Sequence, residues 1–104
     1  MTDETIDLDA LVAAAATGHG VAVVPTDGAV TYQVGEIVVV LVEGGTAEFR
    51  LRADIAAAAA RTPDAGPSPR GPEWVAFSPK AFDRFTRDRI DAWFEFAVRQ
   101  VWEA

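Results

Sequence analysis

Arg50 and Arg52 stand two positions apart in a segment that alternates small or apolar with charged residues, and Arg70 lies in a proline-rich stretch. Side chains at i and i+2 of a strand project from one face. Planar guanidinium groups suit bidentate capture of phosphate or carboxylate. Arg50, Arg52 and Arg70 are therefore the candidate group for contacting an anion or a partner. The competing reading is internal: Arg50 and Arg52 pair with Glu48 and nearby acids, or lay their stems over Tyr32 and Val39.

The other reactive side chains lack company. His19, between Gly18 and Gly20, is the single histidine. A general base or metal ligand needs a positioned partner, so His19 reads as a solvent-facing loop residue. Cysteine is absent, which removes disulfide and thiolate chemistry. Ser68 and Ser78 have no base at a recognisable spacing, and Ser78, before Pro79, reads as a helix cap. Asp91 and Glu95 sit one helical turn apart and suit a hard cation, but Arg84, Arg87 and Arg99 interleave with the carboxylates and favour surface ion pairs. The segment Pro69-Arg70-Gly71-Pro72 matches a proline docking motif, but stiffening a loop that crosses from helix to strand is the favoured explanation. No glycine motif for cradling phosphate opens a helix. These residues predict no enzymatic activity, no metal and no cofactor.

Charge is unevenly distributed. Residues 1–49 hold eight acids and no cation, while residues 50–104 hold nine cations against eight acids, for a net charge of −7. A field of that sign repels nucleic acid and anionic membranes. The 104 residues, half of them hydrophobic, suit one domain, 1–104. The acidic start is unlike a signal peptide, and the longest strongly apolar run, 37–42, is far short of the roughly 20 residues of a spanning helix. A cytosolic domain without membrane contact is the expectation.

The elements that must position these residues follow from periodicity. Residues 7–17 predict a helix with an apolar stripe of Leu8, Leu11, Val12 and Ala15, capped by Asp7 and closed by Gly18. Val21 to Val24 predict a short strand or extended segment stopped by Pro25. The centre reads as a three-stranded meander, 30–34, 37–42 and 47–52, with Gly35-Glu36 and Gly44-Gly45 as two-residue turns. Carried through those turns, Ile37, Val39 and Leu41 share a face with Val30, Tyr32 and Val34, whereas Val38, Val40 and Val42 share the other with Ala47, Phe49 and Leu51. The middle strand is then apolar on both faces and needs cover on both, unless a bulge flips the phase. A short helix at 54–62, a stiff proline-rich loop to Glu73, a fourth strand at 74–77 and a long C-terminal helix complete the order. The stripe Ile90, Trp93, Phe94, Ala97, Val98 and Val101 keeps helical spacing, and Phe82 and Phe85 fall out of phase with it. A bend near Arg87-Asp88 is expected.

The fold class is thus α+β: an antiparallel sheet, three-stranded meander plus fourth strand, packed with an N-terminal helix, a short middle helix and a long C-terminal helix. From residue 28 onward this order, with the Gly35 hairpin, the Phe49-Arg50-Leu51-Arg52 strand end, the Trp74-Val75-Ala76-Phe77 strand and Trp93 on the last helix, resembles the superfamily of small MmcQ/YjbR-like and TfoX N-terminal domains. The resemblance implies a compact α/β domain and brings no catalytic residue. DNA binding, a label common among YjbR-like domains, is opposed by the charge of this chain.

The expected function is a non-enzymatic interaction or regulatory module whose partner is another protein or a second copy, as a homodimer. Phe82, Phe85, Phe96 and Trp102 lie outside the core stripe and are the candidate interface, on the C-terminal helix or beside an exposed sheet edge. The alternatives are weak nucleic-acid binding through the arginine-bearing second half and binding of a small apolar ligand between the sheet and the last helix.

Overall fold

The computed structural model describes residues 8–103. Its elements are α1 (Leu8–His19), β1 (Ala22–Thr26), β2 (Ala29–Val34), β3 (Ile37–Glu43), β4 (Thr46–Arg50), α2 (Ala53–Ala59), β5 (Ala65–Ser68), β6 (Gly71–Phe77) and α3 (Arg84–Glu103). The strands form one antiparallel sheet in the order β1-β2-β3-β4-β6-β5. The α+β class holds. Two edge strands extend the expected sheet, and β5 comes from the proline-rich stretch read as loop. Its register, Ala65 opposite Phe77 and Gly66 opposite Ala76, lets that stretch satisfy backbone groups that a buried loop would leave unpaired.

The two glycine turns close the meander as their chemistry requires. Gly35 has φ 63° ahead of Glu36, while Gly44 and Gly45 have φ 59° and 82°. The first matches a turn with one left-handed central residue, the second a turn with two.

The face pattern differs from a regular ladder. Val34 faces Ile37 and Gln33 faces Val38, but Tyr32 then faces Val40, so Val39 is the extra residue of a β-bulge. A bulge lets two successive side chains point to one side, and Val39 and Val40 are both fully buried. Beyond it, Val30 and Tyr32 share a face with Val40 and Val42, and not with Leu41. The β3–β4 ladder keeps the expected phase, Val40 against Phe49 and Val42 against Ala47. A doubly apolar strand is thereby accommodated with cover on one side only.

That side carries the core. Phe49 is edge-on to Trp93 at 5.6 Å and to Phe94 at 6.3 Å, Phe77 to Trp93 at 5.2 Å, and Tyr32 to Phe94 at 5.7 Å. Phe49, Phe77 and Phe94 are fully buried, each contributing about 1.5–3 kcal/mol by leaving water. Leu8, Val12 and Ala16 bring α1 to this core, and Ala56 and Ala59 bring α2. Ile55 of α2 shares a crevice with Phe96 and Gln100 of α3, and Arg89 Nη1 donates to the Pro63 carbonyl at 3.2 Å. The three helices therefore lie side by side on one face of the sheet.

Three helix ends differ from the sequence reading, the first being that of α2, which stops at Ala59 and not at 62. The Asp7 cap lies outside the described residues. Helix α1 runs past Gly18 and closes at Gly20, φ 67°, whose N–H donates to the Ala16 carbonyl at 3.1 Å. Ser78 does not cap a helix; its Oγ is 2.8 Å from Thr46 Oγ1 and its N–H donates to the Asp64 carbonyl. Asp83 caps α3 instead, its Oδ1 accepting the Thr86 N–H at 3.0 Å. Helix α3 then continues as one α-helix through Arg87-Asp88, without the expected break. Phe82 precedes the helix, which is why its spacing departs from the stripe.

Candidate functional site

Among the described residues nothing packs on the second face of the sheet. Its central row runs Val24, Thr31, Leu41, Glu48, Ala76 and Gly66 across all six strands, with Gln33 and Val38 beside it. Val24 is 37% exposed, and Val38, Leu41 and Ala76 are half-buried. Towards β5 the face deepens into an open groove of about 650 Å³ lined by Glu43, Thr46, Glu48, Pro69, Arg70 and Ala76.

Glu48 anchors this groove. Its carboxylate accepts the Ser68 hydroxyl at 2.5 Å and Arg70 Nε at 2.7 Å, while Ser68 Oγ accepts the Arg70 N–H at 3.0 Å. Arg70 also lies over the Trp74 ring, 5.7 Å from its centroid. A carboxylate only 8% exposed is tolerated because both oxygens are hydrogen-bonded and one faces a cation. The network fastens the Pro69-Arg70 turn to β4. It also settles the chemistry of Ser68, whose proton goes to an arginine-paired carboxylate and not to a free base.

The arginine group is divided. Arg50 stands opposite Trp74 in the β4–β6 ladder, on the same face as Arg70, with Nη2 4.0 Å from Glu73 Oε1. Arg52 follows β4 and pairs with Asp54 at 3.0 Å, in the crevice that holds Phe96 and Arg99. The expectation that Arg50 and Arg52 project from one face of an outer strand fails: β4 lies between β3 and β6 and ends at Arg50, and Arg52 precedes α2. Each of the three has an acidic partner within the chain, but Glu48, which the internal reading gave to Arg50 and Arg52, pairs with Arg70.

The candidate interface aromatics are exposed, Phe82 at 40%, Phe85 at 73%, Phe96 at 42% and Trp102 at 75%, but they do not form one patch. Phe85 and Phe96 are eleven positions apart, three turns along one line of α3. Trp102, six positions beyond Phe96, is turned roughly 120° away. Phe82 lies near Leu8, Gly45 and Pro79.

His19 is not a loop residue in solvent. It is the last residue of α1, stacked parallel to Phe94 at 5.4 Å with Nε2 3.3 Å from Asp91 Oδ1. It joins α1 to α3, and the α-helical stretch running past Gly18 is what carries it there. Glu95 pairs with Arg99 at 2.5 Å one turn on, whereas Arg84 and Arg87 form no ion pair with the carboxylates of α3 among the described residues. Among the described residues no group of three or more His, Asp or Glu is placed to hold a metal ion. Burial pushes the Tyr32 phenol above its ordinary value of 10.0, which keeps it neutral in the core. No helix among the described residues is long and apolar enough to cross a membrane.

Sequence reasoning did not find Glu48, Ser68 and Trp74 as companions of Arg70, because β5 was hidden in a proline-rich stretch. The available signal was Glu48, an acid in a strand otherwise set against apolar partners. Searches of family models, of curated proteins and of solved structures each return no match to this chain.

Proposed function

We propose that this chain is a non-enzymatic interaction module of the cytosol that binds a protein partner through the uncovered face of its sheet. One observation carries the reading: three helices lie on one face of a six-stranded sheet, over its β3 to β5 side, and the other face presents Val24, Val38, Leu41 and Ala76 beside an arginine–carboxylate network already satisfied internally. Apolar surface flanked by polar groups is the ordinary composition of a protein interface. The likeness in element order to MmcQ/YjbR-like and TfoX N-terminal domains is compatible with a module that carries no catalytic residue.

Two other classes are less well supported. The space between sheet and α3 is filled by Phe49, Phe77, Trp93 and Phe94, which leaves an apolar ligand little room there. Arg50, Arg52 and Arg70 are paired with acids in a chain of net charge −7, which opposes nucleic acid.

Self-association is a second reading, favoured by Phe85 and Phe96 on one line of α3. Sheet edges serve it poorly. Thr26 and Ala29 flank the two-residue Asp27-Gly28 turn and face each other, so Val23 and Pro25 turn their backbone groups outward. On β5 the Ser78 N–H donates to Asp64, so Ala65 and Pro67 face outward. Each edge thus offers a proline, with no N–H, where an added strand would seek a donor.

Size-exclusion chromatography of extracts from cells producing the tagged chain tests the reading. The expected result is elution as a complex larger than the 11.1 kDa monomer, lost in a folded Val38→Arg/Leu41→Arg variant and retained in Phe85→Ser/Phe96→Ser. The reverse pattern favours self-association through α3, and monomeric elution of the native chain overturns both.

A further inference from the structure

Resting on that reading, we infer that the occupant of the uncovered face is an amphipathic helix whose apolar stripe is bounded by lysine or arginine at both ends. The β1–β3 half of the face has an aliphatic centre, Val24, Val38 and Leu41, around the hydroxyl of Thr31 and the amide of Gln33. The carboxylates lie at its ends. Glu36 is in the β2–β3 turn at one end, while Asp27, in the β1–β2 turn, and Glu43, at the last position of β3, are at the other. All three are exposed, and none has an ion-pair partner among the described residues. No cation occurs anywhere in residues 1–49, so nothing on these strands balances them. Glu48 differs because Arg70 reaches it from the β5–β6 turn on the same face.

Such a surface complements an apolar segment with positive ends and disfavours one with negative ends. Added-strand pairing is opposed by Pro25 and Pro67 at the two edges, so the partner docks through side chains across the face. A helix on a sheet is the common layer solution. The seven residues of β3 span roughly 23 Å at about 3.3 Å per residue, the length of a helix of about 15 residues. The partner is therefore a short helix or one helix of a larger protein.

The test uses the full chain, ¹⁵N-labelled, and two synthetic helical peptides of about 15 residues with the same leucine stripe, one ending in lysines and one in glutamates. Amide spectra are followed through titration at physiological salt. The expected result is saturable shifts centred on Val24, Thr31, Val38 and Leu41, with the lysine peptide roughly tenfold tighter, three exposed ion pairs each adding a fraction of that factor. Glu36→Lys/Glu43→Lys, both at exposed turn-proximal positions, reduces or reverses the preference. Equal affinity for the two peptides, or no binding by either up to millimolar concentration, overturns the cationic-helix inference while leaving the uncovered face open to another protein. Shifts centred on α3 overturn both.

Discussion

Deleting Val39 should leave the fold standing. As the extra residue of the bulge, Val39 has no partner on β2, and its removal keeps the pairs Gln33–Val38, Tyr32–Val40, Thr31–Leu41 and Val30–Val42 while making the ladder regular. The cost is one fully buried valine, about 1.5–3 kcal/mol of apolar burial. The regularised ladder returns about 1 kcal/mol from a restored hydrogen bond. The net loss is roughly 0.5–2 kcal/mol, a fall in thermal midpoint of roughly 2–15 °C for a domain of this size. Val39→Ala leaves the bulge in place and opens a cavity with nothing regained, so it should be at least as destabilising, roughly 2–3 kcal/mol. Thermal and urea unfolding followed by circular dichroism give both values, and cross-strand NOEs between Tyr32 and Val40 report the register. An unfolded deletion variant, or one in which Leu41 moves into the core, would refute the reasoning, because a regular strand would then have been carrying the phase.

Arg70→Ala strands the buried Glu48 carboxylate, whereas Glu48→Gln leaves only exposed Arg70 unpaired. A double-mutant cycle by urea unfolding should give a coupling of about 1–2 kcal/mol, with Arg70→Ala the worse single change; additive losses would show that the network holds nothing. The Asp83 carboxyl, accepting the Thr86 N–H, titrates below its ordinary 3.8, so its contribution is present above the unfolded value and lost as pH falls through the lower folded one. Asp83→Ala should thus lower the thermal midpoint at neutral pH, and the gap to the native chain should close in acid; a pH-independent gap would contradict the cap. DNA binding should be weak and absent at about 150 mM salt in a mobility-shift or anisotropy assay, and sub-micromolar affinity there would reinstate the nucleic-acid reading, beginning with Arg50, Arg70 and Arg84.

Much of the fold was legible because its signals are local. The turns at Gly35 and Gly44-Gly45, the stripe from Ile90 to Val101 and the alternation through Phe49 each depend on residues within one turn or strand. The bulge was not legible, since four consecutive valines and leucines from Val38 to Leu41 satisfy either phase, and the choice is made by helices packed far along the chain. Strand β5 was hidden because proline and glycine suppress strand propensity, yet an edge strand needs donors on one side only. Ser78-Pro79 mimics a helix start so well that Asp83, with Thr86 three positions on, was overlooked. Arg50 and Arg70 share a face of the sheet but Arg52 does not join them, and the partners Glu73, Asp54 and Glu48 depend on which strand lies beside β4.

The central claim is that the uncovered sheet face, and not α3, meets the partner. A photoreactive amino acid placed singly at Val38, Leu41, Phe85 or Phe96 in producing cells tests it most directly. The account predicts a discrete heavier adduct from positions 38 and 41, diminished when Glu36→Lys/Glu43→Lys is added and weak or absent from 85 and 96. Adducts from Phe85 and Phe96 with none from Val38 and Leu41 would contradict it.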